Sequence, residues 1–297
     1  MKKLILGIVV VVAVSIYGLN RYVEKQLDTM AHTNAYNECH KIWSARGLYP
    51  TRSEENTIAS FQRAFDAGAT GAEVDFFYDP GSETFYVTHN DIIRNPDGSI
   101  KDPNALTLEQ LLSHFGNQYY WWLDYKNLGR ISDEQTQDSI KRLQVIADKI
   151  PGIKDKLYIE GSNPLMLSVY TQAGFKTILA LDLLPASNPL SEYLVNLYKI
   201  AYYFSDITVV ASRATHRVNP DNPKYTTRIQ EQFSNIPIFL FHTPDDPEYL
   251  QELMADPLVR VILVGAGQSI DRFDVHNCPV EQTANNLQVK ASSASKG

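Results

Sequence analysis

The chain has no basic cluster or stripe, only two cysteines, and no unbroken apolar run long enough for a comfortable membrane span. Its 27 lysines and arginines against 34 acidic residues leave a formal net charge of −7. Without positive charge concentrated along one face, it lacks what a protein needs to follow a nucleic-acid backbone, so nucleic acid is not an expected partner. It is not poor in apolar residues either. At 44% apolar and 21% charged, the composition fits a substantial core and excludes general disorder. A length of 297 residues is long for one ordinary domain. Barrels of alternating strands and helices nevertheless reach roughly 250 residues as a single unit.

The N-terminus begins Met1-Lys2-Lys3, followed by an apolar stretch over residues 4–19 broken only by Gly7, Ser15, Tyr17 and Gly18. It is longer than a usual signal core and shorter than the roughly 20 residues of a full span. No clean small-x-small site precedes the polar change at Asn20-Arg21, so the segment reads as an uncleaved anchor. The flanking lysines predict a cytoplasmic N-terminus with the rest exported, and secretion after cleavage is the alternative. The expected organisation is an anchor or signal over 1–19, a polar spacer over 20–38, one domain over 39–280 and a flexible tail over 281–297, which lacks apolar periodicity.

Within the domain, short apolar runs alternate with helix-like stretches. Strands are predicted near 41–45, 72–77, 121–125, 157–160, 177–181, 208–211, 238–241 and 261–264. Helices fall between most of them, as over 57–67, where Ile58, Phe61, Ala64 and Phe65 recur at helical spacing, and over 137–149. Eight strands separated by helices predict an α/β fold, a TIM (β/α)8 barrel. The run Phe85-Tyr86-Val87-Thr88-His89 is additional and follows the turn Asp79-Pro80-Gly81-Ser82, so a β-hairpin insertion after the second strand is expected over the barrel mouth. Trp121 and Trp122 read as barrel wall rather than as a lipid-binding belt. Cys39 stands before the first predicted strand and Cys278 after the last. Those strands are neighbours in a closed barrel, so the two cysteines are expected to pair in an exported chain, with two free thiols as the alternative.

Active residues of such barrels sit where strands end, which singles out Glu73, Asp75, Asp124, Glu160, Asp182, Ser212 and His242. Glu73 and Asp75 are two positions apart, so on a strand they share a face and aim two carboxylates at a place suited to a hard divalent cation. Asp124 and Lys126 bear the same relation and add a third carboxylate and an ammonium. Three carboxylates, one lysine and the histidine of Val87-Thr88-His89 suit phosphoryl chemistry.

The order of these segments carries a resemblance. Ile42-Trp43-Ser44-Ala45-Arg46-Gly47, Glu55-Asn56-Thr57-Ile58-Ala59-Ser60-Phe61, Ala67-Gly68-Ala69, Glu73-Val74-Asp75, Val87-Thr88-His89 and Leu106-Thr107-Leu108-Glu109 together resemble the glycerophosphodiester phosphodiesterase family over roughly the first half of the exported domain. The Asp-x-Lys of Asp124 and Lys126 is closer to the related sphingomyelinase D-type phospholipases, since the glycerophosphodiester enzymes usually carry Glu-x-Lys there. The resemblance implies a phosphoric diester hydrolase acting on glycerophosphodiesters or phospholipid headgroups. It also implies Mg²⁺ or Ca²⁺ held by Glu73, Asp75 and Asp124, charge stabilisation by Lys126 and Arg46, and His89 as general acid or base.

The family opens its site with His-Arg-Gly, and this chain has Ala45-Arg46-Gly47. One of the two histidines that move protons in that family is therefore replaced by a methyl group. Each such transfer is worth about 10²–10⁴-fold in rate. His89 matches the second histidine, with Asn90 in place of the usual aspartate and Asp91 one position later. His242 and His216 stand by position on the mouth side and are the candidate substitutes; a metal-bound hydroxide is the other. Three readings stay open: a diester hydrolase, a catalytically impaired pseudoenzyme that binds a phosphodiester, and a sphingomyelinase D-like phospholipase that cyclises its substrate.

Overall fold

The computed structural model describes residues 2–98, 100–102, 104–184, 188–214, 232–243 and 246–265, with side chains from residue 14 onward. His216, Cys278 and the expected tail over 281–297 lie outside the described residues.

The predicted alternation of strand and helix is what the chain forms. After an N-terminal helix α1 (Lys2–Leu27) come β1 (Ile42–Ala45), α2 (Ile58–Asp66), β2 (Gly71–Asp79), β3 (Thr84–Val87), α3 (Leu108–Phe115) and β4 (Tyr120–Tyr125). Then follow α4 (Asp133–Asp148), β5 (Leu157–Gly161), α5 (Pro164–Gln172), β6 (Lys176–Ala180), α6 (Ser191–Phe204), β7 (Val209–Arg213), β8 (Ile238–Phe241), α7 (Pro247–Ala255) and β9 (Val259–Val264). Eight strands pair in parallel in the order β1-β9-β8-β7-β6-β5-β4-β2, and β2 returns to β1, closing a TIM-type (β/α)8 barrel. The ninth, β3, pairs antiparallel with the upper end of β2 and is the expected hairpin.

Helix starts follow from local chemistry. Thr57, Thr107 and Ser132 each form a reciprocal capping box with the third residue of the helix they open. Period-two alternation then decides which side chains enter the barrel. Trp43, Trp122, Tyr158, Phe239 and Val261 meet in the interior, while their neighbours Leu123, Ile159 and Leu240 pack against the outer helices. Gly71 permits this filling, because a Cβ there would stand 2.6 Å from the Trp43 ring.

The N-terminal region differs from the expected spacer. Residues 20–27 continue α1, and Val23 and Leu27, four apart on one helical face, are buried. Glu24 accepts from Lys199 of α6 at 2.5 Å, and the Tyr22 ring meets Tyr203 edge-on at 6.1 Å. Further on, Tyr36 closes the barrel floor, edge-on to Trp43 at 5.1 Å and to Tyr120 at 4.9 Å. A polar average concealed these apolar anchors. Residues 14–19 of α1, by contrast, are exposed. Among the described residues no helix is long and apolar enough to cross a membrane.

Candidate functional site

The site begins where β1 ends. Beyond Ala45 the chain turns through Arg46, with φ 61°, and Gly47, with φ 86°, and a Cβ at Gly47 would stand 2.4 Å from Ser60 Oγ. Asn56, with φ 57°, donates its backbone N–H to the Arg46 carbonyl at 3.0 Å. His242, after β8, is a third non-glycine residue in the left-handed region, with φ 52°. Such conformations each cost on the order of 1 kcal/mol and persist where surrounding structure enforces them, commonly at functional sites.

Strand register brings the acids together. Ala45 lies opposite Glu73, Asp75 opposite Asp124, and Asp124 opposite Glu160, so these inward-facing carboxylates occupy adjoining strand ends on one side of the barrel. Donor oxygens of Glu73, Asp75 and Asp124 all lie within 4.8 Å of one another. Arg46 Nε is 2.8 Å from Asp75 Oδ2 and 3.9 Å from Glu73, and Arg46 Nη1 donates to Glu55 at 3.3 Å. Lys126 Nζ lies 2.5 Å from Asp75 Oδ1 and also bonds Asp124. Asn56 clamps Asp75 from behind: its amide donates to Asp75 Oδ2 at 2.8 Å, and its side-chain oxygen accepts from the Asp75 N–H at 3.1 Å.

Above this group opens a cavity of about 370 Å³, walled by Ala45, Arg46, Tyr49, Glu73, Trp122, Asp124, Lys126, Glu160, Phe241, His242, Leu263 and Gly265. Its charges do not balance. Burial, with Asp75 and Asp124 adding to it, pushes Glu73 well above the usual carboxylate range. Burial also raises Asp124, with Lys126 opposing the shift and Asp75 adding to it. Glu160 is pushed up to about 8 by burial and then by Asp124. Burial acts the same way on Asp75, but Lys126 and Arg46 outweigh it and hold that carboxyl below its ordinary value. Lys126 is held above its ordinary value against burial by Asp124 and Asp75. Burial, then Arg213 and Arg46, lower His242, so its imidazole is neutral at neutral pH.

This donor set suits a hard divalent cation. Three carboxylates converge, burial and their mutual repulsion raise the proton affinity of Glu73 and Asp124, and Lys126 bridges Asp75 and Asp124. Glu73, Asp75 and Asp124 would hold the ion.

Of the residues singled out in the sequence, Arg46, Glu73, Asp75, Asp124, Lys126 and His242 come together. His89 does not line the cavity: its Nδ1 is 3.5 Å from Asn90 Oδ1, although the adjoining Thr88 N–H donates to the Asp75 carbonyl at 3.0 Å. Cys39 precedes β1 on the floor side, away from the cavity. Two other strand-end residues point elsewhere. Ser212 follows the interior Ala211 and so faces outward, and Asp182 lies exposed beyond β6. Three further residues at the site carried no role in the sequence reading: Trp122, whose indole N–H donates to Glu160 Oε2 at 2.6 Å, Phe241 and Asn56. Period two running back from Asp124 and forward from Phe239 was the available signal for the two aromatics; Asn56 stood inside the Glu55–Phe61 segment of the resemblance, which assigned it no role of its own.

No family model and no curated protein matches the sequence. Among solved structures, a glycerophosphodiester phosphodiesterase from Thermotoga maritima is similar with TM-score 0.51 and 16% identity, covering 78% of this chain and 95% of that one. One from Parabacteroides distasonis gives TM-score 0.51 and 15% identity over 88% and 99%. A phosphodiesterase from Oleispira antarctica, solved in complex with the product sn-glycerol-3-phosphate, gives TM-score 0.53 and 14% identity over 80% and 96%. At these identities the likeness is one of fold, and the chain shares the barrel of these phosphodiesterases.

Proposed function

We propose that this protein is a metal-dependent phosphoric diester hydrolase acting on glycerophosphodiesters or phospholipid headgroups. The observation that carries this reading is the convergence of Glu73, Asp75 and Asp124 with Lys126 and Arg46 beneath one cavity at the barrel mouth. The phosphodiesterase folds it resembles, one of them holding sn-glycerol-3-phosphate, support the substrate class. A Mg²⁺ or Ca²⁺ ion bound by the three carboxylates would supply charge neutralisation at the phosphate oxygens. Lys126 and Arg46, fixed by their contacts with Asp75, add positive charge where negative charge grows on those oxygens. His242, which lines the cavity and whose proton affinity is lowered by burial, would accept a proton and return it to the leaving oxygen, the work that Ala45 cannot do.

A second reading, a pseudoenzyme that binds a diester without turnover, is favoured by one observation: Ala45 lines the cavity opposite Glu73. We further propose, from the sequence, that the N-terminal segment attaches to a membrane with the barrel on the exported side, because Lys2 and Lys3 precede an apolar stretch over residues 4–19.

The test is hydrolysis of glycerophosphodiesters and lysophospholipids with Mg²⁺ or Ca²⁺, with and without chelator. Turnover abolished by chelation is expected, and alanine at Glu73, Asp75 or Asp124 should remove divalent-ion binding in calorimetry. A cyclic phosphate product would assign internal attack by a substrate hydroxyl. Diester binding with no turnover under any metal would overturn hydrolysis in favour of the pseudoenzyme.

A further inference from the structure

An aromatic cluster stands at the opposite end of the barrel from the cavity. Phe204, the last residue of α6, is 59% exposed, and its ring meets the half-buried Tyr203 edge-on at 5.1 Å. Tyr203 in turn meets Tyr22 of α1, which is 50% exposed, and the two hydroxyls lie 3.5 Å apart. Three rings from two helices thus form one contiguous exposed surface, the kind that marks a contact site.

This surface lies on the floor side. Phe204 precedes the start of β7, and the segment that follows α1 is fastened beneath the neighbouring strands. His32 Nε2 donates to the carbonyl of Asn235, just ahead of β8, and the Asn235 amide donates to Asp28, both at 2.9 Å. Lys41 Nζ donates to the carbonyls of Met254 and Asp256, just ahead of β9, at 2.7 Å. The cavity residues Arg46, Lys126 and His242 instead follow the ends of strands. Strands of four to six residues, rising about 3.3 Å per residue, separate the two ends by about 15 Å.

What covers the cluster follows from the origin of α1. That helix is continuous from Lys2 to Leu27, so the apolar stretch over residues 4–19 runs into the cluster with no spacer between them. At about 1.5 Å per residue, Tyr22 stands about 5 Å along the axis from Leu19. Aromatic rings, apolar in body and wet at a tyrosine hydroxyl, are the side chains that favour this depth at the edge of a bilayer. Residues 14–19 make more than one helical turn and are all exposed, so α1 has left the barrel here instead of climbing α6 toward the mouth.

We propose that Tyr22, Tyr203 and Phe204 seat the floor of the barrel on a lipid bilayer and hold the cavity mouth away from it, so that the substrate is a water-soluble glycerophosphodiester and not a phospholipid of the same membrane. This inference rests on the membrane attachment and the phosphodiesterase reading proposed above.

The test places the full-length protein on vesicles of phosphatidylcholine and phosphatidylglycerol, with acyl chains brominated near the headgroup to quench any tryptophan they touch. Trp43, Trp121 and Trp122 are buried and supply a constant background. Phe204→Trp should lose most of its added emission. Leu165→Trp, which replaces an exposed side chain in the first turn of α5 on the mouth side, should lose none. Quenching of Leu165→Trp, or of neither variant in vesicle-bound protein, would overturn the seat. Failure of the full chain to bind vesicles would overturn it together with the membrane attachment. With Mg²⁺ present, added glycerophosphoglycerol should be hydrolysed while the phosphatidylglycerol of the vesicle, which carries the same headgroup, stays intact. Comparable hydrolysis of that phosphatidylglycerol would overturn the orientation. Quenching of Phe204→Trp alone, in a protein that hydrolyses neither compound, would refute hydrolysis and uphold the seat.

Discussion

Position 45 determines how many imidazoles line this cavity, where His242 is the one histidine among the described lining residues. A histidine there would project from β1 opposite Glu73, beside the acids, where the native methyl group can neither accept nor donate a proton. If His242 does not fill that role, Ala45→His should raise kcat by about 10²-fold; an unchanged or lower kcat in steady-state assays would mean that the existing groups suffice. A second prediction concerns pH. Glu73, Asp124 and Glu160 bind protons more tightly folded than unfolded, so their stabilising contribution is fully present below their ordinary carboxylate values and is lost as pH rises through the folded ones, about 8 for Glu160. Asp75 acts oppositely, contributing above its ordinary value and losing that contribution as pH falls. In denaturant titrations the metal-free protein should lose stability between about pH 5 and 8. Glu160→Gln should flatten the decline, and Mg²⁺ should offset it most at the alkaline end.

Among the elements, the segment between β1 and α2 ties fold to site. It carries Arg46 and Asn56, and its far end is fixed by Thr57, whose hydroxyl accepts from the Ser60 N–H at 3.1 Å while donating to the Glu54 carbonyl at 2.9 Å. Removing an N-cap of this kind costs about 1 kcal/mol. Thr57→Ala should therefore lower the unfolding free energy by roughly that amount. It should also weaken Mg²⁺ binding, because Asn56 is the neighbouring residue and clamps Asp75. A normal Mg²⁺ affinity in a destabilised variant would show that the cap serves stability alone. The β2–β3 hairpin was legible from an extra apolar run and a Pro-Gly turn, as the barrel strands were from their spacing, because both signals are local. The docking of residues 20–27 was not. It depends on Val23 and Leu27 finding a buried surface, and on Glu24 finding Lys199, far along the chain.

On the scale of the whole molecule, α1 has two fates within one helix. Its last turns belong to the barrel, while residues 14–19 stand free. Deleting residues 1–19 should leave the thermal midpoint within about 2 °C of the full chain, whereas deleting through residue 27, which removes two buried apolar side chains, should lower it by about 10 °C or more. Equal midpoints would mean that the α1–α6 contact contributes nothing. The full-length protein should stay with membranes through high-salt washing and the 1–19 deletion should not; recovery of a soluble wild type beginning near residue 20 would indicate cleavage instead.

The sequence by itself determined the barrel, its hairpin and the acidic half of the site, because helical and strand periods are local and because residues two apart on a strand must share a face. It therefore specified that Glu73 and Asp75 act together, and that Asp124 and Lys126 do. Only closure of the barrel decided which side chains meet across strands. That closure set Asp75 between Arg46, Lys126 and Asn56, turned Ser212 outward, left His89 outside the cavity while His242 came in, and placed Glu160 against Trp122. Those relations depend on register and on chain segments far apart in sequence, which local spacing does not encode.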